Sequence, residues 1–180
     1  MIHLFLNMYI NMSGRVANIT TSFIELPGLI CTSVYLSGCL FGCQGCQNPE
    51  LQNKFYGKLM CVQNVIDVIS DNNLASCVCF LGGEPFYQSD FLYELCKNIT
   101  KPIGIYTGNT FEVVCQKYQN IIDLPNVKFI KTGKFEINKI VDIEFPITSN
   151  QIVYTKINNN WVKCESRDLK IISNMLRNIL

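Results

Sequence analysis

The sequence predicts an α/β fold, a partial, open βα barrel built on a largely parallel sheet. Two observations lead there. Short apolar, strand-like runs alternate with segments whose apolar residues recur at helical spacing, the pattern of successive βα units. The chain is also only 180 residues long, short of the roughly 250 that a full eight-fold barrel takes.

The elements follow in order. Ile19–Ile24 and Thr32–Leu36 read as strands flanking the turn Leu26-Pro27-Gly28. Val62, Val65, Ile66 and Ile69 fall at helical spacing and predict an amphipathic helix over about 60–71. Cys77–Leu81 is a short apolar run that ends in Gly82-Gly83-Glu84-Pro85, a buried strand followed by a turn. Phe91, Leu92, Leu95, Cys96 and Ile99 form the next helical stripe, with Ser89 as its N-cap. Ile103–Thr107 is the next strand, and Thr110 caps a helix that buries Phe111, Val114, Cys115 and Tyr118. Val127–Lys131 and Gln151–Thr155 follow as strands. Leu169, Ile172, Met175, Leu176 and Ile179 make the last helix amphipathic. Residues 1–12 read as an extension outside the domain, which leaves 13–180 as a single domain.

Composition narrows the class. Apolar residues make up 48% of the chain and charged residues only 16%, which suits a compact globular core. Fifteen basic against fourteen acidic residues leave a net charge of +1, so no electrostatic footprint for nucleic acid or an anionic membrane is present. No apolar run reaches the roughly 18 residues of a membrane span. Ten cysteines are present. Most of the seven outside residues 39–46 sit in apolar periodic stretches, where a free thiol behaves as a small hydrophobe. A reducing cytoplasm is the expected location.

Cys39, Cys43 and Cys46 form a Cys-x3-Cys-x2-Cys loop with a glycine before each thiol, Gly38, Gly42 and Gly45. Three thiolates this close can hold three corners of an iron–sulfur cube, and no fourth cysteine follows at cluster spacing. A [4Fe–4S] cluster with one iron free of protein ligands can bind and reduce a small molecule. A structural zinc ion, the competing reading, wants a closed tetrahedron, usually from two ligand pairs far apart in sequence. The loop supplies three ligands, and the one histidine, His3, lies in the leading segment. Cys77 and Cys79 share one face of a predicted strand, which suits core packing.

Gly82-Gly83-Glu84-Pro85 lets a ligand lie against bare backbone, with Glu84 as a negative acceptor and Pro85 stiffening the exit. Those features suit an ammonium group, and beside an open iron they suit an amino acid that chelates it. In parallel βα sheets, ligands sit beyond the carboxyl ends of the strands. The cysteine loop, Gly82–Pro85 and Tyr106-Thr107-Gly108 each follow a predicted strand, so they are expected on one rim.

Taken together, these motifs resemble the radical S-adenosylmethionine enzymes. Within that superfamily, six segments resemble successive landmarks of the anaerobic ribonucleoside-triphosphate reductase activating protein family. They are Phe23–Gly28, Cys39–Pro49, Leu81–Pro85, Tyr106–Gly108, Ile130–Phe135 and Thr148–Gln151, and they span about 20–155. The resemblance implies a radical SAM type of open barrel. Cys39, Cys43 and Cys46 would ligate three irons of a [4Fe–4S] cluster, and the methionine end of S-adenosyl-L-methionine would chelate the fourth. Gly82, Gly83, Glu84 and Pro85 would hold that methionine end, with Gly45 and Gln47 near the nucleoside and Thr107 near the ribose or carboxylate. No catalytic side chain is implied beyond the cluster and the cofactor. Reductive cleavage of the cofactor would yield a radical that takes hydrogen from a glycine. On that resemblance the glycine would belong to the large subunit of anaerobic ribonucleotide reductase, and a one-electron donor such as flavodoxin would serve the cluster.

The chain departs from the family pattern at three places. Gln47 stands where an aromatic residue often follows the third cysteine, Leu26 where a glycine usually precedes Pro-Gly, and Ile152 where an arginine is often seen. Other readings are a small radical S-adenosylmethionine enzyme of the pyruvate formate-lyase activase or 7-carboxy-7-deazaguanine synthase kind, and a zinc-stabilised binding module. Lys131, Lys134 and Trp161 are secondary candidates for contact with the cofactor carboxylate or a partner.

Overall fold

The computed structural model describes residues 12–142 and 145–179. The leading segment therefore lies almost wholly outside the described residues, as does the side chain of Ile179. Eight strands form one sheet: β1 (Ser13–Ser22), β2 (Cys31–Leu36), β3 (Lys58–Cys61), β4 (Cys77–Gly82), β5 (Ile103–Tyr106), β6 (Val127–Thr132), β7 (Ile152–Ile157) and β8 (Asn160–Lys163). Their order across the sheet is β3-β1-β2-β4-β5-β6-β7-β8. The helices are α1 (Val62–Asp71), α2 (Ser89–Asn98), α3 (Phe111–Lys117), α4 (Gln119–Ile122) and α5 (Leu169–Ile179).

The expected α/β class holds, but the sheet is mixed rather than largely parallel. Strands β2, β4, β5 and β6 run parallel. The four flanking pairings are antiparallel. For two of the four, β1–β2 and β7–β8, the reason is local. β1 returns into β2 through the Phe23–Ile30 turn, and Asn158 and Asn159, both at positive φ, close the β7–β8 hairpin. Connections this short turn the chain back beside itself; only a long crossover keeps strands parallel. The order leaves β3 and β8 at the two edges, so the sheet is open.

Several expected boundaries move. The first strand runs from Ser13, six residues earlier than its apolar run, because Ser13–Val16 pair with β3. The start of the 60–71 segment is strand up to Cys61 before α1 begins at Val62. Ser89 opens α2 as its first helical residue, and Gln88 occupies the N-cap position. Thr110 caps α3 as expected, its hydroxyl accepting from the Val113 N–H at 3.5 Å.

Strand alternation divides the core into two layers. Val34, Val78, Phe80, Ile103, Ile105 and Ile130 face the α1–α4 side. Cys31, Cys77, Cys79, Leu81, Phe129 and Val153 face the other side, where Ile172 and Leu176 of α5 pack on them. Burial of both faces explains why β4 reads as an unbroken apolar run, Cys77-Val78-Cys79-Phe80-Leu81. Over the carboxyl ends of the parallel strands, no helix among the described residues fills the second face. That is where the site lies.

Candidate functional site

A cavity of about 460 Å3 opens above the carboxyl ends of β2, β4, β5 and β6. Its size falls in the ordinary range for small-molecule sites. Tyr35, Leu81, Tyr106 and Lys131 form its floor, each from a different parallel strand. Cys39, Cys43 and Cys46 line one wall together with Phe41, Gln47 and Asn48. Gly82 and Gly83 line a second wall, and Thr107 and Gly108 a third. The rim expected from the strand order therefore exists.

All three glycines before the thiols adopt left-handed backbone, with φ of +95° at Gly38, +58° at Gly42 and +70° at Gly45. Such angles let an eight-residue segment, Cys39–Cys46, bring three sulfurs to one wall. The thiols are half-buried and unpaired by disulfide. Burial raises the Cys39 thiol above its ordinary range, the Phe41 N–H donating to its sulfur opposes this, and Glu84, Cys43 and Cys46 add to the rise. Among the described residues, no three such side chains gather as one tetrahedral ion requires. A cube makes no such demand, because each thiolate takes a different iron.

Gly82 and Gly83 are required by close approach. A Cβ at Gly83 would lie 2.6 Å from the Gly38 carbonyl oxygen and 2.7 Å from that of Leu51. One at Gly82, where φ is +111°, would lie 2.7 Å from the Leu36 oxygen. Backbone bonds lock the loops together: the Gly83 N–H donates to Leu36 and the Glu84 N–H to Gly38, each at 2.8 Å. The cysteine loop and the glycine turn are thus one unit.

Glu84 is only 6% exposed, and its carboxylate turns inward rather than into the cavity. It accepts from the Phe86 N–H at 3.1 Å, the Gly108 N–H at 2.8 Å and the Thr107 hydroxyl at 2.9 Å. Burial nevertheless pushes this carboxyl up to about 7, these donors opposing the shift. Thr107 lines the cavity while its oxygen also accepts from the Asn109 N–H at 3.0 Å. Pro85 is buried in the short helical turn behind the wall. Gly45 stands against Ile137, whose Cδ1 lies 2.5 Å from where a Cβ would be. Gln47 lines the cavity, so the loop contributes an amide there, while Phe41 supplies the aromatic ring.

Spacing did not single out Glu25 or Gln151 as lining residues; Lys131, a secondary candidate, lines the cavity with them. Glu25 is buried and accepts from the Tyr35 hydroxyl at 2.8 Å and from Ser22, while the Tyr106 hydroxyl donates to its carbonyl. These bonds fasten the Phe23–Gly28 turn to the floor. Lys131 lies with its Nζ 3.9 Å from the Tyr106 ring centre, and burial lowers its ammonium to about 8. Gln151, 6% exposed, donates from its amide to the Gly133 carbonyl at 3.0 Å; its oxygen is buried and without a hydrogen-bond partner among the described residues. Arg167 clamps this wall from behind, donating to the carbonyls of Pro146, Thr148 and Gln151. Lys134 places its Nζ 5.2 Å over the Phe41 ring, whereas Trp161 packs edge-on against Phe111, away from the cavity.

Among the described residues no helix is long and apolar enough to cross a membrane. The anaerobic ribonucleoside-triphosphate reductase-activating protein of enterobacteria phage T4 is 26% identical over 151 residues, covering 77% of this chain and 92% of that protein. Pyruvate formate-lyase-activating enzymes also match. The one from Listeria monocytogenes serovar 1/2a is 33% identical over 100 residues, 52% of this chain and 40% of the enzyme. The one from Clostridium pasteurianum is 30% identical over 101 residues, 53% of this chain and 42% of the enzyme. The chain therefore spans about two fifths of these larger relatives. A profile of the 4Fe–4S single cluster domain matches residues 25–154, the stretch that carries the cysteine loop and every cavity wall except Ile24. On that match, the chain belongs to the 4Fe–4S single cluster domain family.

Proposed function

We propose that this chain is a radical S-adenosylmethionine activase that generates a glycyl radical on the large subunit of anaerobic ribonucleotide reductase. One observation carries the reading: three cysteines without a fourth meet Gly82, Gly83, Thr107 and Gly108 around one cavity. A bound [4Fe–4S] cluster would supply one electron and a vacant coordination position to the cofactor's methionine end.

The chain's own residues do the positioning. Cys39, Cys43 and Cys46 hold the cluster against the wall. Gly82 and Gly83 present backbone with no side chain between it and the ligand. Glu84 works indirectly, holding Thr107 and the Gly108 amide in place through its three accepted bonds. Gln151 offers an unpartnered amide oxygen, the kind of acceptor an ammonium or ribose hydroxyl would satisfy. Lys131 places a cation on the cavity floor. Tyr35, Tyr106 and Phe41 narrow the space and limit water.

The reductase partner is favoured over pyruvate formate-lyase by length. The match to the T4 protein runs over 92% of that relative, against 40% of the Listeria enzyme. Residues 13–180 act as the single domain of this activase, in the cytoplasm, with a one-electron donor of the flavodoxin kind.

The test is anaerobic reconstitution with iron and sulfide, reduction, and addition of S-adenosylmethionine with the candidate large subunit. The expected result is 5′-deoxyadenosine together with a glycyl doublet in the electron spin resonance spectrum. 5′-Deoxyadenosine without the doublet would keep the cofactor and reject this partner. Bound zinc with no iron or sulfide would reject the enzyme.

A further inference from the structure

On the face of the sheet that carries the cavity, but at the opposite end of the strands, two thiols touch. Cys31 and Cys77 are the first residues of β2 and β4, and they are register partners in the parallel pairing. Both are fully buried, and their sulfurs lie 3.2 Å apart. A disulfide needs a sulfur separation of about 2.05 Å and Cα atoms roughly 4.4–6.8 Å apart. Adjacent strands sit about 4.8 Å apart, so the bond closes with an inward movement of the sulfurs of about 1 Å and no change of register.

We propose that Cys31 and Cys77 form a redox-active dithiol that hydrogen peroxide converts into a disulfide tying β2 to β4. The Cys77 thiolate attacks one peroxide oxygen; the O–O bond breaks, Cys77 becomes a sulfenic acid, and the departing hydroxide takes a proton to leave as water. The Cys31 sulfur then attacks the Cys77 sulfur, the S–O bond breaks, and a second water leaves. Two thiols lose two electrons and the peroxide is reduced to water; a small dithiol reverses the change.

The surroundings assign the roles. A hydrogen bond from Cys31 holds the Cys77 thiol below its ordinary range, against the effect of burial, with the Lys101 ammonium contributing; the same contact pushes Cys31 up. Cys77 directly follows the exposed Ser76 and is assigned as the attacking sulfur, with Cys31 as the resolving one. Ser76, directly before Cys77, is exposed, so the pair sits one residue inside the strand end, where opening is easiest. Five residues of β2 separate Cys31 from Leu36, a rise of about 16 Å, which keeps the cross-link clear of the cluster loop. The proposal rests on the strand register and the sulfur contact and stands or falls independently of the activase reading.

The experiment is peptide mapping of the cluster-free chain after brief treatment with equimolar hydrogen peroxide and rapid alkylation of remaining thiols. The linked Cys31–Cys77 peptide should rise about tenfold or more over the untreated chain and vanish with dithiothreitol. Cys31→Ser should abolish it and leave Cys77 trapped by dimedone as the sulfenic acid. A urea-unfolded control should give scattered pairs. Recovery of both residues as free thiols, while Cys39, Cys43 and Cys46 are oxidised, would overturn the proposal. A dominant pairing of Cys77 with any other cysteine would also overturn it.

Discussion

Thr107 and Glu84 are joined across the parallel sheet: the Thr107 hydroxyl lies 2.9 and 3.0 Å from the two carboxylate oxygens of Glu84. Glu84 follows β4 and Thr107 follows β5, so this contact welds two walls of the cavity. It also gives the carboxylate its work inside the fold, with Thr107 and Gly108 turned toward the ligand space.

Burial of that carboxyl makes stability depend on pH. Burial holds the Glu84 carboxyl up to about 7, against an ordinary 4.5. Between those values the folded chain retains a proton that the unfolded chain has released, so stability should fall as pH rises through that window. Glu84→Gln should flatten the slope and cost about 1–3 kcal/mol by mismatching the buried donors. Urea unfolding of both proteins from pH 4.5 to 7 measures this; parallel slopes would refute it.

Two glycines in the site should respond very differently to a methyl group. A Cβ at Gly83 meets two backbone oxygens that cannot move independently, so Gly83→Ala should cost about 3 kcal/mol or more. Gly42 has open space around its Cβ position and a φ of +58°, so Gly42→Ala should cost only the left-handed penalty of about 1–2 kcal/mol. Thermal unfolding of the two variants gives the ranking.

The cysteines should separate by role. Alanine at Cys39, Cys43 or Cys46 should abolish reconstituted iron and sulfide while leaving the cluster-free melting point nearly unchanged, since these thiols are half-buried. Alanine at Cys79, fully buried in the second core layer, should retain iron and lose about 1 kcal/mol of stability. Iron and sulfide analysis beside calorimetry distinguishes the two classes.

Arg167 should act on the site from outside it. Its guanidinium holds three carbonyls of the 146–151 segment, whose neighbours Phe145, Ile147 and Gln151 line the cavity. Arg167→Ala should therefore speed amide hydrogen exchange across 147–151 at least tenfold, the size of about 1.4 kcal/mol lost locally. Exchange in β4 should stay unchanged. Uniform acceleration along the chain would instead indicate global destabilisation.

Much of the fold was legible because its signals are local. The run Cys77–Leu81 announced a strand buried on both faces, and the stripe of α1 lay in Val62, Val65 and Ile69. β3 and β8 were not legible: Lys58–Cys61 and Asn160–Lys163 are mostly exposed edge strands without alternation. They exist because a neighbouring strand offers unpaired backbone. The same limit explains the mixed sheet, since direction depends on how the chain returns, and two turns return it at once.

By itself the sequence determined the chemistry of the loop: three thiols, three glycines able to take left-handed angles, and a glycine pair after a buried strand. Spacing along the chain dictates those features, because backbone conformation and ligand count are local properties. Only the tertiary structure decided where side chains point. It turned Glu84 away from the cavity, brought Gln151 and Lys131 into it, set Arg167 behind its wall and laid Cys31 against Cys77. Each of these depends on a partner many residues distant, and burial leaves a polar group no choice but the partner that the fold supplies.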